Sequence, residues 1–220
     1  ASQISHMSCL PPEEGLSLEG CYSNGYWLPG CLAPWVPVDE NQLDTSLLAL
    51  QLQPTDFLLE LGCGDARICK AAVERFGCEA LGLELDEVMI ERAKENIMTI
   101  AEVARSRIEI RQGDMLKFKC ERSPTCVVMY MLPDHYDTLE VLLKDYMLIG
   151  AKVLVYTWSL KGDYWMQRLV QKGSRWWMYQ DTSRQASRNH AAKDTSISIV
   201  STKHSTPSCY ERFLGCLTAS

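Results

Sequence analysis

The sequence predicts an α/β protein built on a doubly wound, mostly parallel sheet. Three observations predict it. Short apolar, strand-like runs alternate with helical periods five times along the chain. The connections between them are only a few residues long, which favours right-handed crossovers. The run from Cys126 to Leu132 is apolar throughout, as a central strand covered on both faces should be.

Each element follows from local residues. Residues 1–37 read as an irregular lead-in, rich in Gly, Pro, Ser and Cys, with Tyr22, Tyr26, Trp27 and Trp35 available to pack over something. Asp39 can cap a helix running to about Leu52, with Leu43, Leu47 and Leu50 on one face, and Pro54 stops it. Asp56–Leu61 is a buried strand entering the Gly62-Cys63-Gly64 turn. Asp65 starts the next helix, with Ile68, Ala72 and Phe76 at helical spacing, and Gly77 ends it. Ala80–Leu85 is the second strand. Asp86 caps a helix whose inner face is Met89, Ala93, Ile97 and Ile100. Arg107–Gln112 alternates as the third strand and turns at Gly113-Asp114.

After the fourth strand, Asp134 is placed to cap a helix whose inward residues are Leu139, Leu142, Leu143 and Tyr146, with Asp137 completing a capping-box spacing. Gly150 breaks that helix and Lys152–Trp158 is the fifth strand. Trp165–Val170 and Arg175–Gln180 form a hairpin that brings the sheet to seven strands, the last antiparallel. Residues 181–220 are polar and weakly periodic and read as a tail outside the core, with Ser196–Ser201 a candidate edge strand. The chain thus divides into a lead-in (1–37), a core domain (38–180) and a tail (181–220).

Composition excludes several classes. At 220 residues, 46% hydrophobic and 23% charged, the chain is neither disordered nor a membrane bundle, and no apolar run reaches membrane-spanning length. The net charge of −6 is uneven: residues 172–220 carry +4 and the rest −10, so the body lacks the basic bias of a phosphate-tracking protein. Ten cysteines contain no C-x-x-C pair, so neither a zinc ribbon nor any other metal site is expected, and reduced thiols are. The first basic residue is Arg67, so no secretory or transit signal is read. A cytoplasmic location is expected, mitochondrial if a targeting segment lies ahead.

Chemistry concentrates in Glu60-Leu61-Gly62-Cys63-Gly64-Asp65-Ala66 and in Glu84, which closes the second strand. Two glycines allow a ligand to approach the turn, and the following helix should aim its N-terminal N–H groups at it. Glu84 can take both hydroxyls of a ribose. Arg67 occupies the third glycine position of a dinucleotide fingerprint, and no P-loop is present. Glu60 would repel a pyrophosphate but attract an ammonium. An adenosine ligand with an ammonium and no phosphate is S-adenosyl-L-methionine.

These residues resemble the class I S-adenosylmethionine-dependent methyltransferases over about residues 33–180. ELGCGDARI (60–68) stands at their first motif, LGLELD (81–86) at the ribose motif and QGDM (112–115) at the adenine loop. The resemblance implies a Rossmann-like sheet and cofactor contacts from Glu60, Gly62, Cys63, Gly64, Asp65, Glu84, Leu85, Asp114, Met115 and Tyr130. The order APWVP (33–37), CGDARI, Tyr130-Met131-Leu132-Pro133 and Gly162-Asp163-x-Trp165 further resembles the small protein-lysine methyltransferases of the ATP-synthase c-subunit and adenine nucleotide carrier type, and their bacterial relatives. Those relatives usually carry glycine at the position of Ala66, Tyr or Phe at Trp35 and Asp at Glu60.

The acceptor side would be lined by Trp35, Tyr130, Asp134 and Trp158, with a protein lysine as the expected substrate. The segment after the fourth strand lacks the [D/N]-P-P-[Y/F] pattern that holds nucleic-acid bases. An RNA or small-molecule acceptor, or a catalytically weak cofactor-binding scaffold, remains the alternative. His135 reads as a surface residue.

Overall fold

In the computed structural model, which describes the backbone of 22–23 and 26–27 and all of residues 31–183, a seven-stranded sheet carries the expected topology. Its strands are β3 (Phe57–Leu61), β4 (Glu79–Glu84), β5 (Ile108–Gln112), β6 (Cys126–Met129), β7 (Lys152–Tyr156), β8 (Leu169–Lys172) and β9 (Trp176–Tyr179). A two-residue pair, β1 (Tyr22–Ser23) and β2 (Tyr26–Trp27), precedes them. The order across the sheet is β5-β4-β3-β6-β7-β9-β8. The first five run parallel, and β9 pairs antiparallel with both β7 and β8. The order reverses between β3 and β6, which opens a crevice at their C-terminal ends.

Burial explains the placement. Every residue of β3 and β6 is buried, while edge strand β5 has only half-buried and exposed positions. Alternate strand residues feed two cores. Leu58, Val128, Leu154 and Tyr156 face helices α1 (Glu40–Leu50), α2 (Arg67–Phe76) and α3 (Glu87–Ile97). Leu59, Leu61, Val127, Met129, Val153 and Val155 face α5 (Tyr136–Leu148). Gly82 in β4 is required by space: a Cβ there would lie 2.7 Å from Cys63 Sγ.

Several local expectations hold. Asp39 accepts from the Asn41 and Gln42 N–H groups, and Asp86 accepts from Val88 N–H. Three polar bonds stitch α1 to the sheet: Tyr156 Oη meets Ser46 Oγ at 2.5 Å, Trp176 Nε1 donates to Thr45 Oγ1 at 3.0 Å, and Lys152 Nζ donates to Leu50 O at 2.5 Å.

Others need correction. The α1 helix stops at Leu50 because Gln51 turns left-handed (φ 52°). A short helix, α4 (Glu102–Arg105), precedes β5. Trp165 lies not in a strand but in α6 (Asp163–Met166), where it is fully buried, and β8 begins only at Leu169. Asp134 caps nothing. It sits in a 3₁₀ turn, Pro133–His135, and the N-cap of α5 is His135, without a side-chain cap. Cys63, Cys69, Cys78, Cys120 and Cys126 are free as expected, but Cys31, in the lead-in, is disulfide-bonded. The candidate strand 196–201 and the tail from 184 onward also lie outside the described residues.

The α2 helix starts at Arg67, two residues later than expected, because Ala66 adopts φ 58°. A left-handed residue with a Cβ costs roughly 1–2 kcal/mol, against about 0.8 kcal/mol for burying a methyl. Ala66→Gly should therefore stabilise the protein by up to about 1 kcal/mol and raise Tm by a few degrees in calorimetry. A fall in Tm would show that the Ala66 methyl packs well enough to outweigh its backbone strain.

Candidate functional site

The crevice gathers residues from the C-terminal ends of four strands: Gly62 and Cys63 after β3, Glu84 and Leu85 at the end of β4, Asp114 and Met115 after β5, and Tyr130 and Met131 after β6. The lead-in closes a further side with residues 31–38. Glu60, Asp65 and Trp35 line the same cleft. The sequence thus brings together the expected candidates, except for Gly64, Asp134 and Trp158, which are not among the lining residues.

The glycine turn spends its own amides. Gly62 and Cys63 N–H both donate to Leu83 O, Ala66 N–H to Cys63 O, and Gly64 N–H to Glu84 Oε2 at 2.8 Å. Two of the first three amides of α2 are taken as well: Arg67 N–H by Asp65 Oδ1 at 3.3 Å and Cys69 N–H by Glu60 Oε2 at 3.1 Å. The expectation that this helix aims its N–H groups at a ligand is narrowed, because acidic side chains of β3 and the turn already take those two. With four carboxyl groups and one guanidinium among the lining residues, the cleft suits a cation carrying hydroxyl donors.

Glu84 is buried and accepts three backbone N–H bonds, from Gly64, Leu85 (2.8 Å) and Asp86 (3.1 Å). A carboxylate offers about four acceptor positions, so room remains at the strand end for a hydroxyl. Asp114 accepts from Leu116 N–H at 2.9 Å and pairs with Lys117 at 3.0 Å, which hold its carboxyl below the usual range. It is thus a turn residue that also lines the cleft.

Glu60 is only 4% exposed, and burial pushes its carboxyl up to about 8 despite the hydrogen bond from Cys69. At neutral pH it is mostly protonated. Burial, followed by the proximity of Glu60, pushes the Cys63 and Cys69 thiols well up, so neither is a thiolate nucleophile.

Trp35 lies directly against the turn: a Cβ on Gly64 would collide with its Cδ1 and Nε1. Gly64 thus needs to be glycine both for its φ of 53° and for this contact. Met115 and Met131 approach Gly62 from the other side. Tyr130 stacks at a tilt on Tyr156, 5.8 Å between centroids. Trp158 instead packs against the α5-side core, and Asp134 is exposed in its 3₁₀ turn.

Sequence reasoning missed the residues that hold the site in place. Asn96 Nδ2 donates to Asp65 O at 2.9 Å and bonds Lys70 through its Oδ1 at 3.1 Å, tying α3 to the turn. Tyr136 Oη donates to Trp158 O at 3.0 Å, and Leu160 N–H donates to Tyr179 Oη at 2.9 Å, pinning the loop after β7. That loop opens on a γ-turn: Trp158 N–H bonds Tyr156 O at 2.8 Å around Thr157, whose φ is 68°. The buried tyrosines read in sequence as ordinary core aromatics, and nothing in the spacing pairs Asn96 with residue 65.

A profile of the ANTKMT methyltransferase domain matches residues 60–166. A protein-lysine N-methyltransferase of Saccharolobus islandicus is 26% identical over 130 residues, which is 59% of this chain and 79% of that protein. Hydroxymycolate synthase MmaA4 of Mycobacterium tuberculosis is 34% identical over 95 residues, covering 42% of this chain and 30% of that protein. An RNA methyltransferase from Salinibacter ruber, solved in complex with S-adenosyl-L-homocysteine, superposes with a TM-score of 0.57 at 26% identity, covering 66% of this chain and 92% of that one.

The state of Glu60 has a measurable sign. Its ordinary value is near 4.5 and its folded value about 8, so between those pH values the folded protein holds a proton that the unfolded chain releases. Its contribution to stability is full below pH 4.5, falls as pH rises through the window and is gone above about 8. Thermal unfolding of Glu60→Gln should therefore show a Tm that gains several degrees on the wild type between pH 5 and pH 8.5. Parallel pH profiles for the two proteins would rule out a buried, protonated Glu60.

Proposed function

The chain is a class I S-adenosylmethionine-dependent methyltransferase, and from that premise we propose that its acceptor is the side-chain amine of a lysine in a protein substrate. The observation that carries this reading is the wall of the cleft. Trp35 and Tyr130 line it together with Val36 and Met131, which suits a slender aliphatic stem with its cationic head against aromatic faces. The likeness to a Saccharolobus protein-lysine methyltransferase over 79% of that protein supports the same acceptor class.

When bound, S-adenosylmethionine supplies a methyl group activated by its sulfonium. The residues of this chain have the simpler task of alignment. In this reading Glu84 takes a ribose hydroxyl on its remaining acceptor position, Leu85, Asp114 and Met115 frame the adenine, and Glu60, Cys63, Asp65 and the two glycines face the amino-acid end. Trp35 and Tyr130 flank the lysine stem, and desolvation against their rings lowers the amine's pKa so that it sheds its proton to solvent before transfer. Asp134 and Trp158, on the segments after β6 and β7, contact the substrate outside the cleft. Residues 38–180 are the catalytic unit and residues 31–37 its cover.

An RNA acceptor is the second reading, favoured by the likeness to the Salinibacter RNA methyltransferase. Against it, the segment after β6 reads Tyr130-Met131-Leu132-Pro133-Asp134 and lacks the base-holding pattern.

Two measurements test these assignments. Glu84→Ala should weaken S-adenosylmethionine binding by about 1.5–3 kcal/mol in calorimetry, and unchanged affinity would remove Glu84 from the ribose site. Incubating the protein and methyl-labelled cofactor with cell lysate should place label in protein, and acid hydrolysis should release methyl-lysine. Trp35→Ala should reduce that turnover more than cofactor affinity. Label confined to RNA or to metabolites would overturn the lysine acceptor.

A further inference from the structure

Arg67 has no part in the cofactor contacts considered so far, yet it sits where the cover meets the glycine turn. Its guanidinium forks onto Asp65, Nε to Oδ1 at 3.0 Å and Nη2 to Oδ2 at 2.7 Å. The same group lies 5.5 Å from the Trp35 ring centroid, and its Nη1 donates to Val38 O at 3.4 Å. One side chain therefore bonds the turn, the indole lying on it and the far end of the segment that carries the indole. A lysine could not reproduce the fork.

The segment is built as a strap. Val38 is buried in the α1-side core and Asp39 is fixed as the cap of α1, so the strap is anchored at that end. Pro34 and Pro37 stiffen the span on either side of Trp35. Residues 32–37 are only half-buried or exposed. Among the described residues, Trp35 lies on the turn and Arg67 is the side chain that holds its ring there.

We propose that Arg67 is a positioning residue that latches Trp35 over the glycine turn, so that the cofactor enters and leaves only when the strap lifts. This rests on the reading of the cleft as the S-adenosylmethionine site. A strap that shuts equally over the empty and the filled cleft slows entry and exit by the same factor and leaves the equilibrium almost untouched. A residue that only supported the fold would move affinity or Tm instead.

The test uses the full chain, immobilised, with S-adenosyl-L-homocysteine as analyte in surface plasmon resonance. Arg67→Met should raise the association and dissociation rate constants each by about tenfold, with Kd within about threefold of wild type. Trp35→Leu should do the same, and the double variant should be no faster than either single, because both open the same latch. Arg67→Lys should fall between, keeping the charge but losing the fork. Rate constants in both single variants within about twofold of wild type, or effects that multiply in the double, would overturn the latch and leave the cofactor site standing. If Arg67→Met fails to fold, Trp35→Leu alone decides between these outcomes. Failure of the wild type to bind the analyte would remove the cofactor site, and the latch with it.

Discussion

Glu84 closes β4 with both carboxylate oxygens committed to backbone: Oε1 to Leu85 and Asp86, Oε2 to Gly64 across the sheet. Bonds from charged acceptors to buried amides are among the stronger ones, roughly 1.5–3 kcal/mol each. This one side chain joins the end of β4 to the turn after β3, and the rest of the cleft is assembled on that turn. Trp35 can lie on Gly64 because the turn is held still. Asp65 can present both oxygens to Arg67 because Asn96 fixes its carbonyl from α3. The geometry of the site therefore descends from a contact between two strand ends.

That contact also explains why so many acidic groups can share a small volume. Each is partly compensated before any ligand arrives: Glu84 by three amides, Asp65 by Arg67, Asp114 by Lys117 and Leu116, Glu60 by keeping its proton. Without those partners the mutual repulsion would work against the fold. What remains is a cleft with a negative bias but no isolated buried charge, which is compatible both with a stable sheet and with a cationic guest.

Much of this was legible in the residues. Strands announce themselves where both faces are buried: no polar residue interrupts Cys126–Met129, and only Glu60 interrupts Phe57–Leu61. The acidic residue at 84 and the glycines at 62 and 64 are separated by a spacing that only a strand–turn–helix–strand unit brings into register. Helix starts were legible where a side chain makes the cap, at Asp39 and Asp86, and misread where backbone conformation makes it, at Ala66 and His135. The hairpin at the end of the sheet was read in outline, but the tryptophan at 165 is apolar in either a strand or a helix, and only its packing against Tyr164 and Tyr179 decides. Contacts between residues distant in sequence, such as Asn96 with Asp65 or Tyr136 with Trp158, leave no periodic trace.

The self-satisfied amides at the start of α2 bear on how readily such a fold can change its guest. Nucleotide-binding relatives of this topology leave those N–H groups open to a phosphate. Here Glu60 and Asp65 already occupy two of them. Restoring a third glycine at Arg67 would recreate the outline of a dinucleotide motif, yet two amides at the helix end would still be taken from within. Redesign toward a phosphorylated ligand would have to begin by deleting carboxylates, and the residue to remove first is the one at the end of β3.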